Sequence, residues 1–246
     1  MHTYAVPDFN DPPVSFAPLR RQYAAAALLG LLLWQAIALA QLGFSSSLSA
    51  GFLADMVQRF GPAARIRIEN WQQTLQRLGS PPAAGGQRPA ERTLLDSVNS
   101  YFNRNMAFID DFKHWGVADY WASPAEFVGS GGGDCEDYAL AKYYALKELG
   151  VPISRLRIAY VRSPRINQPH MVLTYYATAD AEPLILDNLE TEILPAAQRP
   201  DLLPVYSFND EDLWMAHEGT SSRSGSAAQI RLWRGLQDKL RHERDM

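Results

Sequence analysis

Gly131-Gly-Gly-Asp-Cys-Glu-Asp-Tyr-Ala-Leu-Ala-Lys-Tyr-Tyr-Ala-Leu-Lys-Glu-Leu-Gly150 is a glycine run that breaks into a helical pattern and carries the only cysteine of the chain. Cys135, Ala139, Tyr143 and Leu146 recur at helical spacing, Lys142 and Lys147 fall in the later turns, and Gly150 with Pro152 stops the pattern. The spacing predicts a helix over 134–149 with Cys135 in its first turn. There the peptide N–H groups are unpaired and the macrodipole is positive, so both favour a thiolate. The ordinary alternative is a structural thiol, because free cysteine is among the most buried residue types.

Beyond this helix the period of the apolar residues changes to two. Residues 155–161 alternate, with Leu156, Ile158 and Tyr160 on one face, and 171–176, 184–186 and 204–208 read as three further strands. On the N-terminal side, 62–78 reads as a helix carrying Ile66, Ile68, Trp71, Leu75 and Leu78, and 90–106 as another with Leu94, Val98, Tyr101 and Phe102 on one face. Between them, 80–89 holds three prolines and two glycines and reads as a loop. Residues 107–130 read as aromatic and irregular, with Ser123-Pro124 as a helix break. Helices first and strands later predict an α+β fold, with helices packed on one side of an antiparallel sheet and the cysteine at a helix N-terminus. Residues 41–215 form one domain on this reading. The remainder, 216–246, is a mobile Ser/Gly segment followed by a polar helix.

With 246 residues, 47% hydrophobic and 20% charged, the chain can build a sizeable core. A net charge of −4 gives no reason to expect nucleic acid as a partner. No dinucleotide fingerprint, P-loop or paired zinc spacing is present. A lone cysteine rules out an internal disulfide and leaves the compartment open. The N-terminus speaks to it instead. Arg20-Arg21 precedes an uncharged Ala/Leu-rich run over 23–40 that ends Ala38-Leu39-Ala40, the pattern of a secretory signal peptide and hence of an exported protein. The alternative is an uncleaved membrane anchor, since the run approaches the lower limit for a spanning helix.

A nucleophilic cysteine needs a base, and the base an orienting partner. Of five histidines, His170 opens the strand His170-Met-Val-Leu-Thr-Tyr-Tyr176, and Asp187 ends the apolar strand Pro183-Leu-Ile-Leu-Asp187. A carboxylate closing an apolar strand is costly to bury unless it has a partner, and an imidazole on the adjacent strand would be one. Thiol at a helix start, base on a strand and acid on the next strand is a papain-like order.

These residues resemble the bacterial transglutaminase-like cysteine peptidases, and among them the LapG-type periplasmic adhesin proteases. The similarity runs through 115–127, Gly133-Asp-Cys-Glu-Asp-Tyr138, His170-Met-Val-Leu173, Leu184-Ile-Leu-Asp-Asn-Leu189 and 201–209. It implies a transglutaminase-like core with Cys135, His170 and Asp187 as the triad. It also implies calcium dependence, cleavage of a large surface adhesin near its N-terminus at a di-alanine site with release of the cell from its biofilm, and control by an inner-membrane receptor responsive to cyclic di-GMP. The same triad serves acyl transfer to amines, and silent modules of this fold serve binding, although this chain keeps all three triad positions.

Asp134, Glu136 and Asp137 flank a thiol that must ionise, and each negative charge opposes that ionisation. Helix capping accounts for one or two of them. A hard cation would account for three, and clustered carboxylates suit Ca2+ better than zinc. No EF-hand loop is present, so the other ligands are not legible. The Cys135 N–H is the natural first oxyanion donor, with a second to come from the aromatic stretch 115–121.

Overall fold

The computed structural model describes residues 49–80, 89–217 and 220–246. The export or anchor segment 1–40 and most of the predicted loop, 81–88, lie outside the described residues. Among those described, no helix is long and apolar enough to cross a membrane.

Three helices come first. α1 (Ala50–Phe60), for which the sequence pattern gave no expectation, starts at Ser49, whose hydroxyl accepts the Phe52 N–H, and it buries Phe52 and Met56 one turn apart. α2 (Ala63–Gly79) buries Ala64, Ile68, Trp71 and Leu75, a single apolar stripe, while Ile66 points to solvent. α3 (Glu91–Asn105) buries Leu94, Leu95, Val98 and Phe102, and the Trp71 ring packs 4.7 Å from that of Phe102.

The stretch expected to be irregular is partly ordered. β1 (Ala107–Phe108) pairs in parallel with β2 (Gly132–Gly133), and between them lie α4 (Asp111–Trp115) and α5 (Pro124–Ser130). Ser123-Pro124 therefore starts a helix instead of breaking one. Ser123 and Glu126 exchange side-chain and backbone hydrogen bonds in a capping box, and Pro124 occupies the first helical position, where its missing N–H removes no bond.

α6 (Cys135–Glu148) is central among the described residues. It packs against α3 and α5 on one side and on the other against β3 (Leu156–Ser163) and β4 (Gln168–Tyr175). Enclosure on both sides explains why its second turn onward is buried almost all round. These strands sit in a seven-stranded antiparallel sheet completed by β5 (Leu184–Leu186), β6 (Leu194–Pro195), β7 (Leu203–Phe208), β8 (Leu213–His217) and β9 (Thr220–Gly225). The order across the sheet is β6-β5-β4-β3-β7-β8-β9. Alternation divides its residues. Ile158, Met171, Leu173, Leu186 and Phe208 join the main core with the helices, whereas Ala159, Val161, Val172 and Ile185 form a smaller cluster with Leu202 on the other face.

The C-terminal expectation needs correction. The Ser/Gly-rich segment is not left unpaired, because Thr220–Gly225 runs as β9 along β8. A partner strand overrides the weak β-propensity of Ser and Gly. α7 (Arg231–Asp245) is amphipathic, and its Trp233 and Leu236 belong to the main core, with Trp233 stacked on Tyr144 at 6.0 Å. A boundary at 215 would cut through β8. Trp214 is half-buried under the Arg157 guanidinium, 3.9 Å above its ring.

Candidate active site

Cys135 is the first residue of α6, delivered there by the glycine pair of β2. A Cβ on Gly133 would stand 2.1 Å from Asp137 Oδ2, and one on Gly132 2.4 Å from the Ala107 carbonyl oxygen. The glycines are needed for this close approach. Asp137, fully buried, reaches back to accept the Asp134 N–H at 3.3 Å and also takes the Ala122 N–H at 2.8 Å. Its first duty is thus to cap α6 and to tie it to the segment before α5.

The Cys135 thiol is half-buried. It donates to Glu136 Oε2 at 3.1 Å. Burial pushes the thiol well above its ordinary pKa, and the charges of Glu136 and Asp134 push it further. The Met171 N–H acts the other way.

His170 and Asp187 meet as the sequence suggests. His170 Nε2 lies 2.7 Å from Asp187 Oδ1, both side chains buried. The other Asp187 oxygen accepts from Arg199 Nη2 at 2.8 Å, and Oδ1 also takes the Leu189 N–H at 3.0 Å. Burial alone would raise the Asp187 pKa, but the hydrogen bond and charge of His170, with the Leu189 N–H and Arg199, hold it at about 2. An ionised Asp187 requires Nε2 to carry the proton, which leaves Nδ1 as the nitrogen able to act as base. Burial pushes Lys142, 1% exposed on α6, down to about 7, and the Asp187 charge opposes that shift. The thiol lies beside Met171, the next residue along β4 from His170, and no Cys135–His170 hydrogen bond is present among the described residues.

The acidic cluster is larger than the sequence suggests. Carboxylate oxygens of Asp111, Asp119 and Glu136 lie within 4.8 Å of one another, as do those of Asp111, Asp134 and Asp137. Burial, then the hydrogen bond and charge of Glu136, drive Asp134 up to about 8. Burial and the neighbouring aspartates drive Asp111 up to about 6, and Glu136 and Asp137 are raised as well. Oδ1 of Asp111 and Oδ1 of Asp134 are buried with no hydrogen-bond partner among the described residues. Unpaired buried oxygens on mutually repelling carboxylates fit a hard divalent cation. Asp111, Asp119 and Arg199 escaped the sequence reading. Asp110-Asp111 looks like an ordinary helix start, and nothing in linear spacing links either aspartate to residues 134–136.

The aromatic stretch mainly packs. Trp115 lies against Tyr120 at 4.5 Å, and Trp121 stacks on Phe208 at 5.8 Å. The Cys135 N–H, at the free end of α6, is the oxyanion donor this geometry offers.

A thiol opening a central helix beside a strand whose histidine pairs with an aspartate at the end of the neighbouring strand is the arrangement of a papain- or transglutaminase-like thiol hydrolase. The chain belongs to the bacterial transglutaminase-like cysteine proteinase family, whose model matches residues 80–221, and it is a cysteine protease. Among solved structures it is similar to Legionella pneumophila LapG, at 39% identity over 76% of this chain and 95% of that one, with a TM-score of 0.63. The calcium-bound form of that protein matches at 39% identity over 76% of this chain and 97% of that one, with a TM-score of 0.62, and the EGTA-treated form at 0.64. No curated protein matches the chain.

Proposed function

We propose that the chain is a calcium-dependent cysteine endopeptidase of the periplasm. It cuts the N-terminal region of a large cell-surface adhesin at a di-alanine site, and an inner-membrane receptor responsive to cyclic di-GMP controls it. The observation that carries the calcium dependence is the pair of unpartnered buried oxygens on Asp111 and Asp134, beside a thiol held by Glu136. The calcium-bound form of the L. pneumophila relative supports the same choice of ion. Residues 20–40 support export, and the resemblance to LapG-type proteases supports the substrate and the receptor.

In this mechanism the Cys135 thiol gives up its hydrogen bond to Glu136 and its S–H proton passes to His170 Nδ1, leaving a thiolate, while Asp187 keeps Nε2 protonated and stabilises the imidazolium. The thiolate adds to the scissile carbonyl, and the developing oxyanion takes the Cys135 N–H. Collapse expels the amine with the proton from His170, and His170 then activates water to hydrolyse the acyl-enzyme. Asp111, Asp119, Asp134 and Glu136 would hold Ca2+, which supplies positive charge that offsets the carboxylates around the sulfur.

The test is to incubate the protein with the N-terminal part of an adhesin from the same organism, with Ca2+ or with chelator. Cleavage is expected only with Ca2+ and not by C135A. Cleavage by C135A would remove Cys135 as nucleophile, undiminished cleavage in chelator would remove the calcium dependence, and incorporation of labelled amine without cleavage would assign the chain to acyl transfer.

A further inference from the structure

The ligands of the acidic cluster do not share one kind of support. Asp134 and Glu136 ride on the start of α6, and Asp111 on α4. Asp119 is exposed and belongs to neither helix nor strand. A carboxylate on irregular backbone has many positions open to it, and a cation site needs it in one.

Its bracing comes from the far end of the chain. Lys239 of α7 donates to the Trp121 carbonyl at 3.0 Å and to Glu126 Oε2 at 2.6 Å, and its ammonium stands 3.9 Å from the centre of the Tyr120 ring. Tyr120 in turn donates its backbone N–H to Asp111 and its hydroxyl to Glu126 Oε1 at 2.9 Å. One ammonium thus touches both residues that follow Asp119, and the first of them is bonded to Asp111. The anchor it grips is firm, because Glu126 is buried and is also held by Arg59 and the Ser123 N–H. Arg59 grips the same carboxylate without bonding to residues 119–122.

We propose that Lys239 is a positioning residue for the cation site, fixing the 119–121 segment so that Asp119 meets Asp111 and Glu136. This rests on the calcium reading above, and it makes the C-terminal helix part of the site.

The experiment uses the full chain stripped with chelator, titrated with Ca2+ by calorimetry and with Tb3+ by luminescence, whose decay in H2O and D2O counts bound waters. K239M is expected to weaken Ca2+ binding about 10- to 100-fold, as loss of an outer partner of metal ligands does, and to add water to bound Tb3+. K239R, which keeps the charge, recovers most of the affinity. R59M, which loosens the same Glu126 from the other side, binds Ca2+ as the wild type does. Wild-type affinity in K239M, or an equal loss in R59M, would overturn the positioning role. Should K239M not fold, K239Q replaces it, and wild-type affinity there would overturn the proposal equally. Absence of Ca2+ binding by the wild type is a separate result that would sink the calcium reading and this inference together.

Discussion

His170 Nε2 lies 2.7 Å from Asp187 Oδ1 in a buried pair, so the ring is oriented from behind and only Nδ1 remains to accept a proton. Replacing Asp187 with Asn keeps the shape but removes the charge that favours this tautomer. D187N is expected to lower kcat/KM on the adhesin fragment by roughly 10²–10⁴-fold with little change in KM. Steady-state kinetics on that fragment check it, and a loss confined to KM would contradict the role.

Arg199 completes the environment of that carboxylate, 2.8 Å from Asp187 Oδ2 and 2.9 Å from Asp201. R199M strands a buried oxygen of Asp187 and is expected to cost about 3–5 kcal/mol of stability, the usual result of breaking a buried pair from one side. Denaturant unfolding measures it. With one brake on its protonation gone, Asp187 should titrate higher than about 2, so activity should fail at a higher pH on the acid side than in the wild type.

Glu243 of α7 is buried, bonded through one oxygen to Ser123 and raised to about 7, by burial first and by the nearby Glu126 charge. Its pKa in the unfolded chain is near 4.5, so between these values the folded state binds more protons. This group therefore erodes stability as pH rises from about 4.5 to 7, and the loss is complete above that range. E243Q should flatten that slope and gain stability at pH 8, on the order of 2–3 kcal/mol at most. Thermal melts of wild type and variant from pH 4 to 8 read this directly, and parallel curves would refute it.

Gly133 sits where a Cβ would strike Asp137 Oδ2 at 2.1 Å and the Phe127 ring at 2.9 Å. G133A is expected to cost about 1–3 kcal/mol through this overpacking and to displace the cap of α6. A thermal shift checks the first effect, and a changed rate of Cys135 alkylation checks the second.

The readable parts of this chain are those in which local pattern and tertiary position agree. α6 declares itself by its glycine approach, its spacing and its stop at Gly150, and β3, β4, β5 and β7 by alternation or apolar runs. His170 and Asp187 follow from strand order, because neighbouring strands in an antiparallel sheet bring their ends together. The misses have physical reasons. Ser123-Pro124 is compatible with either end of a helix, and only the reciprocal bond with Glu126 decides. β9 owes its form to β8, since its own composition favours no strand. Asp119 joins Glu136 across a fold-back of the chain, and Lys239 reaches Trp121 from the last helix. No periodicity encodes such meetings.

In the mechanism proposed above, Cys135 ionises usefully only when the carboxylates around it are offset by a cation. Because the chain has a single cysteine, the rate of iodoacetamide alkylation against pH reports that one thiol. In chelator the profile should rise only at a pH well above that of a free thiol, and with Ca2+ its midpoint should move down towards neutrality. Superimposable profiles with and without Ca2+ would show that no cation tunes this thiol.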